Sequence, residues 1–115
     1  MIFQLKPSDV HGVGVFATAD IQKNAHLPLF EDDDHRFTPH NEIKDSKVPE
    51  HILHNYSINY EGEGLSSPRN FNRMSVGWFL NHSENPNAVC DENYSYFALR
   101  NIKSGDEITI DYDKL

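Results

Sequence analysis

The sequence predicts a mostly β fold, and three observations carry that prediction. Short apolar or alternating runs recur at residues 13–17, 74–80, 88–90, 94–99 and 107–112. Gly, Pro or Asn punctuates the spaces between them, as turns require. Only one segment, residues 49–60, has the length and spacing of a helix. A chain of short strands with one short helix builds several small sheets rather than one large one.

Taken in order, residues 1–5 read as the first strand. In PSDVHGVGVFAT, Gly12 and Gly14 bracket a single valine. Val13, Val15 and Ala17 then share one face, with Phe16 on the other, so this strand is entered through a glycine-permitted turn. IQKNAH at 21–26 places Asn24 where a left-handed turn residue fits, and IKSGDE at 102–107 echoes it with Gly105. The echo predicts two turns of similar shape. Residues 26–30 extend as a strand. EDDDHRFTPHNEIKDSK, 31–47, is the most polar and least periodic segment and reads as a loop or insertion. PEHILHNYSINY, 49–60, is the helix, with Ser46 available as a cap and Pro49 near the first turn. Residues 61–72 carry Gly62, Gly64 and Pro68 and read as loop or hairpin.

Size and charge narrow the function. At 115 residues the chain is expected to form one domain, 1–115, burying roughly two-thirds of its unfolded surface. Its formal charge is −8, from 18 acidic and 10 basic residues. That balance disfavours binding to nucleic acid and favours a basic partner. The single cysteine, Cys90, excludes an internal disulfide and a cysteine-based zinc cluster, and reads as a small core residue. No apolar run approaches the roughly 20 residues that span a bilayer, and the N-terminus lacks a signal pattern. A soluble, intracellular protein with no membrane association is expected.

The chemistry concentrates in WFLNHSENPN, residues 78–87. Its apolar run reads as the end of a buried strand, delivering Asn81 and His82 as the chain leaves the core. Pro86 holds Asn85 extended and Asn87 suits the turn that follows. Asn81 and His82 therefore either satisfy local backbone or face a ligand. Gly12–Val13–Gly14 is either a hairpin turn or a place where a ligand approaches bare backbone. It is not a dinucleotide fingerprint, because no helix follows it. In ITIDY, Ile108, Ile110 and Tyr112 share one face by period two. That stripe is either core closed by a tyrosine or a dry wall whose hydroxyl orients a reacting amine. His51 and His54 read as exposed helix histidines rather than metal ligands. Glu31 to Asp34 reads as a solvated acidic loop that could attract a basic substrate.

GVGVFAT, WFLNHSENPN and SGDEITIDY, in that order, resemble the SET domain family over nearly the whole chain. The resemblance implies a β-clip-like fold of several small sheets with one short helix. Its C-terminal segment is pseudoknotted beneath a loop, so that the NHS and DY motifs meet. It further implies methyl transfer from S-adenosylmethionine to lysines of a basic, histone-like protein or peptide, without a metal. Tyr112 would be the catalytic tyrosine, and Gly12, Val13, Gly14, Asn81 and His82 would hold the cofactor. Tyr56, with Tyr60 competing for the place, and Ile110 would line the lysine channel. The sequence departs from the family in carrying Trp78 where arginine is common and in lacking zinc-binding cysteine-rich flanks. It also stops three residues after Tyr112, so either central loops or a second subunit would cover the site, or the site is open and slow; a homodimer is one expectation. The alternative is a SET-like binding module that holds cofactor or basic peptide without turnover.

Overall fold

The computed structural model describes residues 1–60 and 63–115. Within them the strands are β1 (Phe3–Pro7), β2 (Val13–Ala17), β3 (His26–Leu27), β4 (Arg36–Pro39), β5 (Ile58–Tyr60), β6 (Gly64–Ser67), β7 (Asn81–His82), β8 (Ala88–Cys90), β9 (Tyr96–Ala98) and β10 (Glu107–Ile110). One α-helix, α1, covers Glu50–Asn55, and 3₁₀ turns occupy His40–Asp45, Val76–Phe79 and Tyr112–Lys114. The expected mostly β architecture of several small sheets is what the chain adopts. Glu61 and Gly62, part of the expected 61–72 hairpin, lie outside the described residues. No helix among the described residues is long and apolar enough to cross a membrane.

The chain divides into two compact units. The first combines residues 1–29 with 79–115. It holds a four-stranded sheet in the order β1-β2-β10-β7 and a three-stranded sheet in the order β3-β9-β8. β10 pairs antiparallel with β2 and parallel with β7. Ile108 stands opposite Val15, and both are wholly buried; burying such a side chain contributes about 1.5–3 kcal/mol. The two echoing segments pair with each other. Ile21 and Ile102 exchange backbone hydrogen bonds of 2.7 and 2.8 Å. Asp20 Oδ1 accepts from Ser104 N and Asn101 Oδ1 accepts from Lys23 N, at 2.9 and 2.8 Å. Asn24 and Gly105 both take positive φ, 71° and 92°, as the turn reading requires.

Boundaries shift where backbone geometry overrides apolar pattern. β9 begins at Tyr96 rather than residue 94, because Tyr94 has φ 62° and Asp91 Oδ1 caps the turn by accepting from Asn93 N and Ser95 N. The strand expected at 26–30 closes after Leu27. Cys90 is half-buried at the end of β8, and burial pushes its thiol pKa up.

The second unit, Phe30–Trp78, and the segment leaving it correct four expectations. Residues 31–47 are not simply loop: Arg36–Pro39 pairs along β6 and His40–Asp45 forms a 3₁₀ turn. β4 is the edge of the sheet β4-β6-β5, and an edge strand can be polar because backbone pairing alone holds it. The helix expected over 49–60 stops at Asn55, and Ile58–Tyr60 pairs with Gly64–Ser67 instead. Only Leu53 of that helix is buried, so too little apolar surface favours extending it. Ser46 does not cap it; its hydroxyl accepts from Val48 N, and Pro49 occupies the N-cap. The apolar run expected as a strand over 74–80 instead winds through the 3₁₀ turn at Val76–Phe79. There the Trp78 ring meets Phe30 edge-on at 5.1 Å.

Asp34, read from sequence as part of a solvated acidic run, anchors this unit. Its carboxylate accepts from Arg69 N (3.1 Å), Ser75 N (2.8 Å), Ser75 Oγ (2.5 Å) and Trp78 Nε1 (3.2 Å). Burial pushes its pKa up, and the hydrogen bonds from Ser75, Arg69 and Trp78 together outweigh burial and hold it below the ordinary value. A depressed folded-state pKa contributes stability above the unfolded value and loses it as pH falls through the folded one. Asp34→Asn is therefore expected to cost about 1–2 kcal/mol at neutral pH. It should also remove part of the acid limb of the stability curve. Thermal melts of both proteins from neutral to strongly acid pH check this, and parallel acid limbs would refute the assignment.

Candidate functional site

The first unit brings three sequence-predicted groups together. β7 consists of Asn81 and His82 alone and lies alongside Thr109 and Ile110 of β10. Asn81 is buried at 6% exposure, so its amide must find partners. Its Nδ2 donates to His11 O (2.9 Å), Val13 O (3.3 Å) and Glu107 Oε2 (2.9 Å). The amide nitrogen thus holds the glycine-containing loop down onto β10. The donors of Asn81 do not satisfy local backbone: they hold two carbonyls about seventy residues away and the Glu107 carboxylate. Within the loop Gly12 has φ 48°, and a Cβ there would meet nothing within 4 Å. Its face is open, and the neighbouring Val13 side chain is 44% exposed.

His82 and Tyr112 meet directly. Tyr112 N donates to His82 Nδ1 at 3.0 Å, so that nitrogen serves as an acceptor and the ring proton belongs on Nε2. The two rings lie 5.2 Å apart, centre to centre, tilted by 49°. The Tyr112 hydroxyl donates a short hydrogen bond to Leu80 O. Burial, then the Glu107 charge, pushes its pKa above the ordinary phenol value. The group is therefore a neutral hydroxyl at physiological pH, its proton committed to Leu80 and its lone pairs left to accept.

Tyr112 is not on the strand face expected for it. β10 ends at Ile110; Asp111 caps the following 3₁₀ turn by accepting from Asp113 N at 3.0 Å. Period-two alternation stops there, so Ile110 and Tyr112 do not share a strand face. Ile110 is a core residue at 4% exposure whose backbone pairs with His82 and Ser83, while Tyr112 is half-exposed. Tyr56 follows α1 as its C-cap, and Tyr60 ends β5; both belong to the second unit.

Two residues escaped the sequence reading. Asn87, taken as a turn former, is buried and works as a strand substitute: its Nδ2 donates to Glu107 O (2.8 Å) and its Oδ1 accepts from Thr109 N (2.9 Å). Glu107 receives the Asn81 amide. The signal for both was the pairing of buried amides with a strand that must be satisfied on two sides. For metals, His82, Asp111 and Asp113 place ligand-type atoms within 4.8 Å of one another. His82 Nδ1 and Asp111 Oδ1 already accept the Tyr112 and Asp113 amides. Among the described residues, His51 and His54 gather no third ligand; His54 instead lies 3.8 Å from Glu50.

Comparison with known proteins bears on the family and the fold. A family model for the SET domain matches residues 12–113. A crystal structure of a Plasmodium falciparum protein, provisionally assigned as a histone methyltransferase, superposes with a TM-score of 0.61 at 24% identity, covering 96% of each chain. At that identity the likeness is one of fold. No curated protein matches the chain in sequence.

Asn87→Ala leaves the partly buried Glu107 O and Thr109 N without this partner. It is expected to destabilise the protein by about 2–3 kcal/mol, seen as a lower denaturant midpoint with unchanged slope. A shift near zero would mean that the backbone finds other partners.

Proposed function

The chain belongs to the SET domain family, and on that premise we propose that it transfers methyl groups from S-adenosylmethionine to lysine side chains of a basic, histone-like protein. The observation that carries the proposal is the Tyr112 hydroxyl: neutral, half-exposed and anchored through its proton to Leu80 O. The residues around it fit the cofactor. Gly12 offers backbone with nothing over it, Val13 and Gly14 follow it, Asn81 holds the Val13 carbonyl, and His82 is next to Asn81 on β7. These would hold the cofactor. When bound, it supplies a methyl group already activated on a sulfonium.

The protein's own task is to present a neutral, aligned amine. Deprotonating a free lysine at neutral pH costs about 4.6 kcal/mol, from a reference pKa near 10.4. Removing the ammonium from water lowers that cost. Tyr112 cannot be the base, because its phenol is protonated and its pKa is raised. It can accept an N–H of the incoming amine, since its own proton is spent on Leu80. That contact turns the nitrogen lone pair away from the hydroxyl, a positioning role rather than proton transfer. The −8 charge supports a basic substrate by attraction at the surface.

S-adenosylmethionine is expected to raise the melting temperature by mass action, while labelled cofactor transfers methyl groups to histones. Tyr112→Phe should stay folded and keep cofactor binding but lose about tenfold or more in turnover, the size of one orienting hydrogen bond. Cofactor binding without transfer to any basic protein would indicate a binding module. Unchanged turnover in Tyr112→Phe would move the orienting role elsewhere.

A second expectation concerns salt. If charge guides the substrate, apparent substrate affinity should fall as ionic strength rises, since screening acts over about 8 Å at physiological salt. A flat response in steady-state kinetics would point to recognition by shape.

A further inference from the structure

Gly14 occupies a place where an added side chain would displace the Glu107 carboxylate. A Cβ built on it would lie 2.4 Å from Glu107 Oε2 and 2.8 Å from Glu107 Cδ. Such contacts are well inside van der Waals separation. The second glycine of the GVG loop is thus accounted for by a carboxylate of this chain, whereas the first, Gly12, faces open space.

Glu107 uses both of its oxygens on groups that shape that loop. Oε1 accepts from Ser8 Oγ at 2.6 Å, and Oε2 accepts from Asn81 Nδ2 at 2.9 Å. Ser8 in turn closes the loop on itself. Its Oγ accepts from Val10 N (2.9 Å) and His11 N (3.4 Å), and its backbone N donates to Gly12 O (2.8 Å). Asn81 holds the carbonyls of His11 and Val13. Both grips on the loop, one from Ser8 and one from Asn81, converge on a single carboxylate. The backbone that carries it is fixed, because Glu107 is paired with Phe16 in the sheet and its carbonyl is held by Asn87.

We propose that Glu107 is a positioning residue for cofactor binding. Acting through Ser8 and Asn81, its carboxylate sets loop 8–14 in the shape that presents Gly12 and Val13, and Gly14 is glycine to admit that carboxylate. The proposal rests on the reading of this loop as the cofactor site. Hydrogen bonds to a charged acceptor are stronger than neutral ones, so one carboxylate can order a loop that has little apolar anchoring of its own.

Calorimetric titration with S-adenosylmethionine, steady-state kinetics and amide exchange together test it. Glu107→Ala should weaken cofactor binding by about tenfold or more, equivalent to one charge-assisted hydrogen bond. The loss should appear in KM for the cofactor far more than in kcat at saturation. Glu107→Gln keeps the shape and one acceptor but not the charge, and should recover part of the affinity. Gly14→Ala alone should weaken binding. Combined with Glu107→Ala it should add much less, because the closest atoms it strikes are gone and only Ser8 Cβ, 3.1 Å away, still crowds it. Ser8→Ala, a milder change, should speed exchange at the Val10 and His11 amides in the folded protein, whatever the cofactor does. Glu107→Ala with wild-type affinity, or a Gly14→Ala penalty that is undiminished without the carboxylate, overturns the proposal. A wild-type protein that binds no S-adenosylmethionine sinks the functional reading instead. In that case unchanged Val10 and His11 exchange in Ser8→Ala would remove the loop-fixing role as well.

Discussion

The first unit depends on the satisfaction of β10 on both edges. Its antiparallel neighbour β2 and parallel neighbour β7 come from earlier parts of the chain. β7 is only two residues long and cannot complete the pairing. Asn87 fills the gap, its side-chain amide taking Glu107 O and Thr109 N as a third strand would. A buried peptide group without a partner would cost as much as a lost hydrogen bond, or more. This explains why NHSENPN spends two of its asparagines on backbone: Asn81 holds a distant loop, and Asn87 holds the last strand.

Because β10 is held this way, it can organise the chemistry at both of its ends. Glu107 at its start meets Ser8 and Asn81. At its end the chain breaks from strand at Asp111, and Tyr112 turns onto His82 and Leu80. The glycine-containing loop and the tyrosine are therefore two outputs of one short strand. The tyrosine's own environment then narrows its chemistry. A phenol whose proton is bound to a carbonyl, and whose pKa is raised, orients an amine and does not deprotonate it.

The bridge between Ile21 and Ile102 shows a second level of order. Each isoleucine opens a turn whose first amides are capped from the other segment, by Asn101 in one case and Asp20 in the other. The similarity of IQKNAH and IKSGDE thus corresponds to a reciprocal contact, with the residues of positive φ, Asn24 and Gly105, at matching places. Local turn chemistry specified each turn, and only their pairing required the fold.

The sequence by itself determined the mostly β class, the turns at Asn24 and Gly105, the strand at Ala88–Cys90 and the family, because each rests on local chemistry or on motifs contiguous in the chain. It also marked Asn81, His82 and Tyr112 as a set, through the resemblance, although not how they touch. Tertiary structure alone decided the rest. Arg36–Pro39 carries no apolar alternation, so only its partner β6 makes it a strand. Asp34 looked like one of four solvated acids until Ser75, Arg69 and Trp78 converged on it. Ile110 and Tyr112 seemed to share a face until Asp111 ended the strand between them. In the last case the side-chain cap of the residue between them overrode a periodicity argument. In the first two, the deciding partners lie tens of residues away along the chain, where no window of sequence could reach them.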